Sequence, residues 1–293
     1  MISRSSAAAR GSEAADVTIA VARACADGSS STPRTKSARR APASAGSRAA
    51  IRARGVLRQL RRDRRTVAMI LIVPPLLLAL FRYVFDGQEG TFDRVGGPLV
   101  GLFPFITMFL VTSIAMLRER TSGTLERLMS LPLAKLDLLL GYGIAFALAA
   151  GLQAVITASV GFGLLGLDSD GSIWLVVLLA VGNALLGMAL GLFLSAFATS
   201  EFQAVQFMPA FVIPQILLGG LLVPRDRMAP ALEWASDVLP LTYAYDALAR
   251  TTSHGDVDGR LGLDIAVVAG SIAVALALGA VTLRRPNRVI RRS

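Results

Sequence analysis

Between two strongly apolar runs, residues 117–135 read LRERTSGTLERLMSLPLAK and gather Arg118, Glu119, Arg120, Glu126, Arg127 and Lys135. Such groups serve as acids, bases or electrostatic contacts, and the rest of the chain decides which. The chain has a single histidine, His254, and a single cysteine, Cys25. Those counts exclude a multi-histidine metal centre, a cysteine-based metal site and an intramolecular disulfide. No GxSxG elbow and no HExxH helix occurs, so the known hydrolase patterns are absent. A phosphate-binding loop needs Gly-Lys-Ser/Thr, and the two lysines sit in TKS (35–37) and AKL (134–136). No catalytic residue and no metal ligand is assigned, and an enzyme is disfavoured. Any nucleotide must be hydrolysed by another polypeptide. The chemistry left to the charged stretch is recognition, because mixed charges fix register and specificity against a soluble partner.

The elements that position this stretch are membrane spans. The chain of 293 residues is 54% hydrophobic and 17% charged, whereas a soluble domain carries about a quarter charged residues. Apolar runs long enough to cross a bilayer, which takes about 20 residues, predict six spans over about 66–83, 98–117, 138–164, 173–198, 203–222 and 263–283. Pro74 and Pro75 predict a kink in the first. Segments 46–65, 118–137, 199–202 and 284–293 hold 17 Lys/Arg, and the alternate segments 82–97, 165–172 and 223–262 hold 6. That bias predicts both termini and the 118–137 link on the cytoplasmic side. The net charge of +10 belongs to residues 1–65, with 15 Lys/Arg against 4 Asp/Glu. Its place before the first span, without interleaved aromatics, argues for topology and lipid contact rather than nucleic acid.

Residues 1–50 are rich in Ala, Ser and Arg without apolar periodicity and read as a disordered tail, a transit peptide or an over-extended start. Residues 51–65 (IRARGVLRQLRRDRR) read as a short interfacial helix. In the link, Thr121 or Ser122 can cap a helix starting near Gly123, with Leu125, Leu128, Met129 and Leu131 on its apolar side and Pro132 ending it. Two small-residue stripes, Gly143–Ala147–Gly151–Val155–Ser159–Gly163 and Asn183–Gly187–Gly191–Ser195–Thr199, predict close helix packing. No carboxylate, lysine or histidine falls near a span centre, and Asp137, Glu201 and Asp264 lie at span ends. A proton-coupled carrier is therefore disfavoured.

RERTSGTLERLMSLPLAKLDLLLGY resembles the cytoplasmic segment of ABC-2 type transporter permeases, with Glu119, Gly123, Thr124, Leu125, Glu126, Leu128 and Pro132 matching the family pattern. Residues 209–250, PAFVIPQILLGGLLVPRDRMAPALEWASDVLPLTYAYDALAR, resemble its fifth span and the external hairpin that follows. There Gly219, Gly220, Pro224, Pro230, Pro240, Leu241, Thr242, Tyr243, Ala244 and Arg250 carry the match. Residues 61–85 are similar to the first-span entry of drug-exporting members such as the daunorubicin-resistance permeases.

The resemblance implies an all-α membrane protein, with six spans over 51–293, a cytoplasmic amphipathic N-terminal helix and an external re-entrant hairpin after span five. It implies a multi-pass permease in the inner (plasma) membrane, paired with a second permease copy (a homodimer or a close paralogue) and two copies of a separate ABC ATPase. ATP–Mg would be held by that partner, with no cofactor on this chain. Glu119, Arg120, Gly123, Thr124, Glu126 and Arg127 would couple to the ATPase. Gly219, Gly220, Pro224, Pro240 and Tyr243 would build the re-entrant hairpin. Thr107, Met108 and Thr112 in span two, with Gln206, Phe211 and Gln215 in span five, would line an amphiphilic path. The expected function is export of a drug, antibiotic or lipid-like compound. The alternatives are export of a lipid-linked glycan or polysaccharide, and a non-transporting scaffold for an ABC ATPase.

Overall fold

The computed structural model describes residues 64–87, 89–121, 135–221, 223, 225–253 and 258–282. The expected tail over 1–50 and residues 51–63 of the expected interfacial helix lie outside the described residues. The helices in chain order are α1 (Arg64–Val84), α2 (Glu89–Thr121), α3 (Lys135–Gly163), α4 (Ile173–Leu194), α5 (Glu201–Leu218), α6 (Pro230–Val238), α7 (Pro240–Ser253) and α8 (Gly259–Thr282). A 3-10 turn, Arg225–Arg227, precedes α6. Among the described residues there is no strand. Six helices (α1 to α5 and α8) are long and apolar enough to cross a membrane. Helices are the form expected there, because every backbone N–H and C=O finds its partner inside the segment. The chain is a multi-pass membrane protein, and its spans fall where hydropathy places them.

The centre of the bundle is the α2–α4 seam. Phe92, Leu99, Val100, Phe105 and Phe109 of α2 pack with Ala180 and Leu186 of α4 in one buried cluster, and Met108, Met116, Ala184, Met188 and Leu192 in another. Helices this close need residues without side chains on the contact face, and the α4 stripe supplies them. A Cβ on Gly187 would run into the Phe105 carbonyl, and one on Gly191 into Thr112 Oγ1 and the Phe109 carbonyl. The Thr112 hydroxyl bridges the seam, 2.6 Å from the Met108 carbonyl and 3.3 Å from that of Met188. The α3 stripe behaves differently. A Cβ on Gly143, Gly151 or Gly163 would meet nothing, so this face stays open in the single chain.

Span two extends beyond its expected bounds at both ends. Helix α2 begins at Glu89 and not at 98, so Asp93 and Arg94 are helical. It also continues through Thr121, whose hydroxyl donates back to the Leu117 and Arg118 carbonyls. Thr121 thus belongs to the last turn of span two. The link helix expected from Gly123 to Pro132 lies outside the described residues. Helix α1 runs unbroken through Pro74 and Pro75.

Candidate functional site

Two ends of the bundle carry the charged groups. At one end, the last turn of α2 presents Arg118, Glu119 and Arg120. Arg118 makes a two-pronged ion pair with Glu201 at the start of α5, at 2.7 and 3.0 Å. The α5 start is fixed by its own sequence: the Ser200 hydroxyl accepts from the Gln203 N–H, while the Gln203 side-chain Oε1 accepts from the Thr199 N–H. This reciprocal arrangement resembles a capping box. The root of the charged link is therefore joined to span five. Of the coupling candidates, Glu119 and Arg120 are half-buried on the α2 terminus, and Gly123, Thr124, Glu126 and Arg127 lie outside the described residues.

At the opposite end, Gly219 and Gly220 stop α5. Gly220 has φ +94°, a conformation that favours glycine. Pro230 opens α6 and Pro240 opens α7, where a missing N–H costs nothing. Arg225 then ties three elements together: it pairs with Asp237 at the end of α6 and, at 3.2 Å, with Asp246 of α7. The Tyr243 hydroxyl donates to the Asp237 carbonyl at 2.8 Å. Burial pushes the Asp246 carboxyl up from its ordinary range, with Arg225 opposing that shift; burial likewise raises the Tyr245 phenol. Helix α7 is seated inward, with Leu241, Thr242, Ala244, Ala247 and Leu248 buried. Gly97 of α2 fits against Thr252, and the Asp170 N–H donates to the Thr252 carbonyl. Helix α6 instead exposes Leu232, Trp234 and Val238. Of the hairpin candidates, Gly219, Gly220, Pro240 and Tyr243 gather here, and Pro224 lies outside the described residues.

The path candidates do not converge on one lining. Met108 and Thr112 are fully buried in the α2–α4 seam, and Thr107 bonds its own helix at the Phe103 carbonyl. Gln206 and Phe211 are exposed on α5, whereas Gln215 is buried and donates to the Phe211 carbonyl. Sequence reasoning missed Arg118–Glu201 and the Arg225 cluster. The signal available was charge itself, since Arg225, Asp237 and Asp246 are charged residues between two spans.

Residues 49–251 match the ABC-2 type transporter family, taking in α1 to α6 and most of α7. The chain belongs to that family. It is 28% identical over 148 residues to the "Probable multidrug ABC transporter permease YbhR" of Escherichia coli K12, covering 50% of this chain and 40% of the relative. Against the "Probable multidrug ABC transporter permease YbhS" of the same organism it is 23% identical over 205 residues, covering 70% and 54%. Against "ABC transporter G family member 20" of Dictyostelium discoideum it is 26% identical over 156 residues, covering 53% and 21%. The matched stretch thus spans about half or less of these relatives. Within this ABC-2 family member, Arg118–Glu201 and the Arg225 cluster mark opposite ends of the six-helix bundle.

Proposed function

We propose that the chain is the membrane-spanning permease of an ATP-binding cassette exporter that moves an amphiphilic drug, antibiotic or lipid-like compound out of the cytoplasm. A separate ATPase, present in two copies and holding ATP–Mg, drives it, and a second permease copy (the same chain or a close paralogue) completes the path in the inner (plasma) membrane. Both termini and the 118–137 link face the cytoplasm. The single observation that carries this reading is the family match over residues 49–251 in a chain with six apolar helices and no Gly-Lys-Ser/Thr loop.

The coupling surface in this reading is the end of α2 with Glu119 and Arg120, continued by Gly123, Thr124, Glu126 and Arg127. Arg118–Glu201 then links any displacement of that surface to span five. At the other end, α6 and α7 form a re-entrant hairpin around Gly219, Gly220, Pro224, Pro240 and Tyr243. Substrate passes along the outward face of α5, where Gln206 and Phe211 are exposed, and Thr107, Met108, Thr112 and Gln215 reach it when α5 moves relative to α2. The description of YbhR and YbhS as probable multidrug permeases supports an amphiphilic cargo.

The test is pull-down of the ATPase by wild-type and Glu126→Arg permease, normalised to membrane abundance. A like-charge clash in a desolvated contact costs several kcal/mol, so the substitution should cut ATPase recovery at least tenfold while insertion continues, because an added cytoplasmic arginine favours the same topology. Wild-type recovery would remove the docking role from this segment.

A further inference from the structure

A second site opens beside the Arg225 cluster. Between α6, α7 and the first turns of α8 lies a cleft of about 650 Å³, lined by Arg225, Asp237, Tyr243, Asp246, Arg260 and Asp264 among others. Its charges do not balance internally. One guanidinium, Arg225, serves both Asp237 and Asp246. Arg250, nearby, is paired with Asp258. Asp264 is 1% exposed, lines the cleft, and its Oδ2 has no hydrogen-bond partner among the described residues. The neighbouring Arg260 makes no ion pair with it and is exposed to solvent, where its field is screened.

A buried carboxylate without a partner is a costly arrangement, and a cationic ligand would relieve it. The described residues hold no group of three side chains able to ligate a metal. The cation that fits is therefore an organic ammonium, which needs one carboxylate and an apolar surround. The surround is supplied by Leu263 and the Tyr243 ring, both of which line the cleft. We propose that this cleft binds the protonated amine of an amphiphilic compound, with Asp264 as its counter-ion. The proposal concerns binding by the permease alone and holds whether or not the export reading does.

The test uses the full-length chain in phosphatidylcholine nanodiscs, titrated with benzylammonium and with benzyl alcohol by saturation-transfer NMR. Benzylammonium should bind at least tenfold more tightly, since the two probes differ only in the charged head. Asp264→Asn should abolish that preference and leave benzyl alcohol unchanged. Gly259→Trp keeps every charge but fills the cleft mouth, where an added Cβ meets nothing, and it should weaken both probes at least fivefold. If Asp264→Asn fails to fold, the wild-type comparison and Gly259→Trp decide the matter. Equal affinity for the two probes in the wild type, an ammonium preference that survives Asp264→Asn, or undiminished binding of both probes to Gly259→Trp would overturn the assignment.

Discussion

The α2–α4 seam and the outward faces of α1, α5 and α8 are built from similarly apolar residues but meet different surroundings. Over an apolar stretch of 18 residues in each span, 67% are buried within the chain in α2, against 17% in α1, 17% in α5 and 11% in α8. Hydropathy does not set the order, since α1 and α8 are slightly more apolar than α2. Backbone access does. Gly187 and Gly191 let α4 lie against the carbonyls of α2, while α1 and α8 turn Leu76, Leu80, Val274 and Leu278 outward. In lipid, apolarity alone gives helices no reason to associate, so close van der Waals contact selects the partners. The seam forms a closely packed frame, and the outer spans keep apolar surface turned outward.

The strongest way to break this comparison is to place the same side chain on both small-residue stripes. Gly187→Leu drives side-chain atoms into the Phe105 backbone, and overpacking of this kind costs about 3 kcal/mol or more. Gly151→Leu on α3 meets no neighbour and should change stability by less than about 0.5 kcal/mol. Thermal unfolding in detergent measures both. Comparable losses would mean that the α3 face is as closely packed as the seam.

A smaller effect is expected where α6 and α7 meet the turn before them. Arg225→Met removes the partner of two carboxylates, one of them largely buried, and should cost about 2 kcal/mol, below the range for a fully buried pair. Asp246→Asn should cost less at neutral pH, because burial already opposes the carboxylate. The sign of the pH dependence follows. The folded state holds the Asp246 proton more tightly than the unfolded chain, so this group lowers stability as pH rises from about 4 through its raised folded value. Asp246→Asn should remove that slope. An unchanged unfolding curve across about pH 4–7 would contradict the burial assigned to Asp246.

The smallest effect belongs to Arg118–Glu201. Both side chains are more than half exposed, and such pairs contribute about 0.2–1 kcal/mol. A double-mutant cycle with Arg118→Ala and Glu201→Ala should return a coupling in that range. A coupling above about 2 kcal/mol would place the pair in a far less solvated setting.

Much of this frame was legible in the sequence for a physical reason. A span must be a helix, and its length is set by the hydrocarbon thickness, so runs of apolar residues locate α1 to α5 and α8 within a few residues. The start of α2 was harder to read, because Asp93 and Arg94 look like loop residues. In the fold Asp93 accepts from the Asp168 N–H, part of the connection between α3 and α4. The stripes show the limit of spacing arguments: four-residue spacing identifies a small face, and only the fold says that Gly187 has a neighbour while Gly151 has none. Arg225, Asp237 and Asp246 were visible as charges but not as a cluster, because the partners lie 12 and 21 residues away in sequence and meet only after α6 and α7 fold back. The unpartnered state of Asp264 is likewise a tertiary fact, for its position at a span end resembles an ordinary interfacial acid.

The central claim is that an external ATPase drives this chain to move an amphiphile. It is tested most directly in proteoliposomes containing the permease and its co-purified ATPase, with a panel of fluorescent amphiphiles and either the active ATPase or a variant that cannot hydrolyse ATP. The account predicts that movement of at least one amphiphile requires ATP hydrolysis and persists when ion gradients are collapsed. ATP hydrolysis with no movement across the panel would make the chain a scaffold, and movement that needs an ion gradient but no ATPase would make it a secondary carrier. Either result would contradict the account.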